Sequence, residues 1–186
     1  MMKNPYVYGY LPFITIILFS LTFGLYTVTE SIEIFKSIGV YTGMREFLSE
    51  IQLRVFLLIV FALCYFMLFS ALKLIGETIH ELAMLFFSRD IDGKTVAEAR
   101  GGNVVFFFGA LASAFGIQMF MVLMIIFIVS VIVYFVFVIY KISNHMTLGA
   151  TIGVLVFEIA LWSVFITLIV YVVFKLYNGI LASLPI

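Results

Sequence analysis

From residue 104 to residue 140 the chain carries no charged side chain. One straight helix of that length would extend ~55 Å at 1.5 Å per residue, whereas the hydrocarbon core of a bilayer is ~30 Å thick. Tilting recovers only part of such a mismatch. Two passes joined by a tight turn fit better. The best break is Gly116-Ile117-Gln118, where a flexible residue and a polar one lie together.

The rest of the chain agrees with a membrane setting. Hydrophobic residues make up 65% of the 186 and charged residues 11%; a soluble domain carries roughly 25% charged residues and needs them to cover its surface. The 10 Lys+Arg balance the 10 Asp+Glu, so no basic excess points to nucleic acid. The one cysteine, Cys64, lies in an apolar run and reads as a small packed hydrophobe, with no disulfide possible within the chain. The N-terminal apolar run is long and lacks an A-x-A-like cleavage site after it, so it reads as a retained first span and not as a removed signal.

These features predict an all-α, polytopic transmembrane helical bundle. Five spans are preferred, over residues 10–28, 55–72, 96–115, 118–140 and 148–174; four remain possible because the third is short. Pro12 falls near the start of the first span, where a missing N–H is tolerated. Glu30, Glu33 and Lys36 recur at helical spacing between Ile32, Phe35 and Ile38, which predicts a short amphipathic helix at the interface. Gly39 and Gly43 bracket a break, and Thr42 is a candidate cap for the next helix. Glu50 and Arg54 form an i,i+4 pair. Beyond Lys73 the second span continues as an amphipathic helix that leaves the membrane or bends along it.

Residues 88–103 form the most polar stretch, with a turn signal at Asp92-Gly93 and a capping-box spacing at Thr95 and Glu98. Lysine and arginine placement sets orientation. Lys3, Lys73, Arg89, Lys94, Arg100 and Lys141 fall on the N-terminal side, and Lys36, Arg45, Arg54 and Lys175 on the other. The N-terminus and the 88–103 loop are therefore expected to be cytoplasmic.

The strings KNPYVYGYLPF, GMREFLSE, YFMLFSALKLI, ELAMLFFS and KLYNGILASLPI together resemble the YufK-like family of Bacillus membrane proteins, over the whole chain. That family consists of uncharacterised multi-pass membrane proteins. The resemblance implies a bacterial plasma membrane and supplies no catalytic or binding residues.

Among polar residues, Glu158 is the sharpest. It lies inside the fifth apolar run, and a carboxylate there is expensive, so such groups are functional candidates by default. Thr151, Leu155, Trp162 and Phe165 share its helical face. The functional reading is a proton- or cation-handling site. The structural one is a carboxylic acid that hydrogen-bonds a neighbouring helix, and it gains from the want of a recognisable Lys, Arg or His partner within the apolar runs.

Glu77, His80 and Glu81 form a second candidate group. Glu-x-x-His is half of a di-iron motif, but it needs matching ligands from other helices, and His145 is the sole other histidine. A solvated polar stripe is the reading adopted. Asp90-Ile-Asp92-Gly93 lacks the further ligands of a calcium loop.

Gln118 can line a polar path or simply serve the turn. Gly149 and Gly153 form G-x-x-x-G, and Gly109/Ser113 and Ala112/Gly116 form small-xxx-small pairs, which let helix backbones approach closely within the chain or between chains.

No nucleotide, metal or cofactor signature is present, and no nucleophile is visibly paired with a base. The expected function is a non-enzymatic accessory or partner subunit in the membrane, contacting lipid and either another membrane protein or a second copy. The alternative is a small transporter or ion-pathway component built on Glu158.

Overall fold

The computed structural model describes residues 5–88 and 100–183, and every regular element among them is helical. In chain order these are α1 (Pro5–Ser37), α2 (Val40–Phe47), α3 (Glu50–Phe87), α4 (Asn103–Ser113), α5 (Phe120–Ser143) and α6 (Leu148–Ser183), with 3₁₀ turns at Arg100–Gly102 and Ala114–Gly116 flanking α4. Four stretches are long and apolar enough to cross a bilayer: Gly9–Ser37, Glu50–Phe87, Phe120–Ser143 and Leu148–Ala182. The all-α helical bundle expected from the sequence is therefore observed. The segment Asn103–Gly116 is apolar but shorter.

Local chemistry explains the breaks. Gly39 adopts φ +79, a left-handed conformation that a Cβ disfavours, and this ends α1. Ser49 caps α3 through a capping box with Gln52, satisfying backbone donors at both positions. Thr42, the residue expected to cap, lies inside α2 instead. Residues 30–37, expected as a separate amphipathic helix, simply continue α1, because no glycine or proline interrupts them. The short element is α2, none of whose residues is buried. Pro12 lies inside α1, which begins earlier than expected. The capping-box residues Thr95 and Glu98, the Asp92-Gly93 turn, and residues 96–99 of the proposed third span lie outside the described residues.

The break at Gly116-Ile117-Gln118 is present, and there the chain reverses. Gly102 packs on Tyr134, Gly109 on Ser130 and Gly116 on Val122, so α4 and α5 form an antiparallel hairpin. Ser113 and Thr22 hydrogen-bond at 2.9 Å, and Phe19 lies beside Gly109, so α4 runs parallel to α1. Tyr26 and Phe120 rings lie 5.5 Å apart, which puts the 116–119 turn level with Tyr26 of α1.

The bundle centre is aromatic. Phe19, Phe23 and Phe69 are buried with Ala110 and Leu123. Phe127 meets Phe19 edge-on at 5.4 Å and Phe69 at 5.0 Å. Such pairs add ~0.5–1.5 kcal/mol each beyond their area. A second apolar cluster, Ala83, Met84, Val138, Ile142 and Val154, joins α3, α5 and α6 at the end of the bundle that holds the 144–147 turn.

Candidate functional site

The site is built by α3 and α6, which pack antiparallel. Gly76 leaves room for the Trp162 ring, and Gly153 receives the Phe87 ring so closely that a Cβ would fall 2.4 Å from it. These two glycines bracket the level at which His80 faces Glu158. His80 Nδ1 lies 2.6 Å from Glu158 Oε1. The glutamate side chain is 5% exposed and the histidine 19%. The Ala83–Val154 cluster closes the contact on one side, and Phe69 and its aromatic neighbours lie further along α3 on the other. Tyr134 on α5 is within electrostatic range of Glu158 and Glu77.

The sequence treats Glu158 as an acid without a recognisable partner, and the structure corrects this. The partner is a histidine 78 residues away, and α3 carries it inward because this helix stays continuous to Phe87. The expected polar stripe is divided by helix geometry. His80 turns to α6, while Glu77 is exposed and pairs with Lys73, and Glu81 is exposed. No three His, Cys, Asp or Glu side chains come together as a metal site among the described residues. The half di-iron motif is thus not completed there.

His80 Nε2 is buried and has no hydrogen-bond partner among the described residues. Hydrogens are assigned by chemistry, and two net-neutral forms of the pair exist. In one, an imidazolium donates from Nδ1 to a carboxylate. In the other, a protonated Glu158 donates to Nδ1 of a neutral ring. Both leave a hydrogen on Nε2, whereas a neutral ring donating from Nδ1 to an ionised carboxylate leaves Nε2 as an acceptor; in each form the atom lacks a partner among the described residues. A buried unsatisfied group of this kind costs ~1–3 kcal/mol.

The remaining candidates separate. Gln118 is exposed within the turn. Gly109 faces Ser130, Gly116 packs into its own hairpin, and Ser113 is buried against Thr22. Ala112 is exposed. Gly149 has open space around it, whereas Gly153 is filled from within the chain by Phe87. Thr151 is buried on the Glu158 face, as expected.

A family model described as a family of unknown function, DUF5366, matches residues 28–185. The chain belongs to the DUF5366 family. The uncharacterised membrane protein YufK of Bacillus subtilis (strain 168) is 38% identical over 185 residues, covering 100% of both chains. No solved structure matches. The resemblance read from the sequence is thereby established, and this DUF5366 chain is a membrane protein related to one of unknown role. The His80–Glu158 pairing was missed because Lys73, Glu77 and Glu81 surround the histidine and make its segment look solvated. The signal that could have found it is the apolar face of Ile79, Ala83 and Met84, which are all buried beside His80.

Proposed function

We propose that this DUF5366 protein is a non-enzymatic bacterial plasma-membrane component that handles protons at the His80–Glu158 pair. The observation that carries this reading is the buried Nε2 of His80, unpartnered among the described residues while Nδ1 is held on Glu158. With Glu158 ionised and the neutral ring carrying its hydrogen on Nε2, a proton taken up by the carboxylate passes to Nδ1, the Nε2 hydrogen goes to a water admitted beside it, and rotation of the ring or tautomer exchange restores the starting form; the pair then acts as one relay step between two helices. Both helices are long enough to cross the bilayer. The surplus of Lys and Arg on the N-terminal side supports a cytoplasmic N-terminus.

The test is proton flux in liposomes containing the purified protein and an internal pH dye, under a potassium–valinomycin potential. Flux above that of empty liposomes is expected, with loss in Glu158→Gln and His80→Gln and retention in Glu77→Gln. Flux equal to empty liposomes, or unchanged in the first two variants, overturns the reading.

A second reading, an accessory subunit for a larger membrane complex, draws on α6. Its residues 167–182 are exposed on every face, an apolar surface that suits docking against another membrane protein. Co-purification of a stoichiometric partner from native membranes, lost when Leu168 and Val172 are changed to serine, tests it.

A further inference from the structure

The strongest unassigned feature lies between α1 and α3, away from the His80–Glu158 pair. Gly24 brings the two helices close, since a Cβ there would fall 3.2 Å from the backbone of Ala62. Beside this crossing, larger side chains hold the helices apart. The result is an apolar cleft of about 300 Å³ lined by Ile17, Leu21, Ile59, Leu63 and Phe66 among others. A second cleft of about 140 Å³ includes Thr29 and Arg54, and Leu58 lines both. Phe13 meets Phe66 edge-on at 6.0 Å at the far end.

The two clefts form one furrow with an apolar end and a charged end. From Arg54 to Phe66 it follows α3 for ~18 Å, a little more than one leaflet of a ~30 Å hydrocarbon core. The charged end has a specific order. Arg54 stands where the uncharged run of α3 begins. Glu50 stands one turn, ~6 Å, further toward the end of the helix. They are joined at 3.0 Å, with Nε and Nη2 of Arg54 both donating to Glu50 Oε1, which uses two of the five guanidinium N–H groups. Both side chains are about half exposed, at 46% and 50%.

We propose that this furrow is a binding site for one phospholipid with a zwitterionic, hydrogen-bond-donating headgroup, of the phosphatidylethanolamine type. The acyl chain lies along Ile59, Leu63 and Phe66. The phosphate sits on Arg54, which presents paired donors to an oxyanion. The ammonium lies further from the bilayer centre and donates to Glu50. A cation inside and an anion outside match a headgroup whose phosphate is inside and whose amine is outside. A choline headgroup has no N–H to give Glu50, and a purely anionic headgroup meets repulsion there.

Native mass spectrometry of the full chain with equal amounts of dioleoyl phosphatidylethanolamine, phosphatidylcholine and phosphatidylglycerol tests this. One phosphatidylethanolamine per chain is expected, retained at least fivefold over either competitor. Glu50→Gln removes the preference over phosphatidylcholine without loss of fold, because the residue is exposed. Arg54→Gln lowers retention of all three lipids at least fivefold. Ile59→Trp fills the furrow and expels the lipid whatever its headgroup. Equal retention of all three by the unaltered chain, a preference for phosphatidylglycerol, or a phosphatidylethanolamine preference that survives Glu50→Gln overturns the proposal.

Discussion

His80 on α3 and Glu158 on α6 meet at 2.6 Å, with the carboxylate side chain 5% exposed. This contact joins the two helices between the close passages at Gly76–Trp162 and Gly153–Phe87. Removing one partner strands the other in a poorly solvated place. His80→Leu and Glu158→Leu are each expected to destabilise by about 3–5 kcal/mol, while the double variant His80→Leu/Glu158→Leu recovers most of that loss. Thermal unfolding in mild detergent measures both, and additive losses would show that the residues act independently.

Gly153 on α6 receives the Phe87 ring of α3. A methyl group there collides with the Phe87 ring, so Gly153→Ala is expected to cost about 1–3 kcal/mol by overpacking. Phe87→Ala in the same chain should relieve part of it. Gly149→Ala, in open space, is expected to be near neutral toward contacts. A change in oligomer size with no change in stability would instead mark Gly153 as an intermolecular surface.

Thr22 and Ser113 link α1 to α4 through a buried 2.9 Å hydrogen bond. Hydrogen bonds between membrane helices average about 0.6 kcal/mol, because the unfolded state in lipid finds other partners. Ser113→Ala should therefore shift stability by that order. Gly109→Ala should cost more, since its Cβ would stand 2.0 Å from Ser130 Oγ. Equal effects in the same unfolding assay would show that α4 packs more loosely than its contacts indicate.

The hairpin of α4 and α5 turns level with Tyr26, near the end of the apolar part of α1. If α4 serves as a pass, as the five-span reading expects, the two termini lie on opposite sides of the membrane. Reporter fusions at each end are expected to give opposite readings. Identical readings would make α4 a re-entrant element and leave four spans.

Cys64, expected as a packed small hydrophobe, is instead exposed on α3, inside a helix long enough to span. A spin label on this single cysteine is expected to collide with oxygen far more than with a water-soluble nickel chelate. The reverse ranking would place that face of α3 in water.

Much of this was legible from residue order alone. Runs without charge can settle only among acyl chains, so the membrane class and the helical fold follow from composition and length. The reversal at Gly116-Ile117-Gln118 follows too, because a 37-residue uncharged segment is too long for one straight pass, as does the Glu50–Arg54 pair, because i,i+4 neighbours meet on any helix. What tertiary structure decided is which helices face one another. Glu158 acquired its histidine, and Gly153 its phenylalanine, through the antiparallel register of α3 and α6. That register is set by the fit of many small contacts between residues far apart in sequence, and no local pattern encodes it.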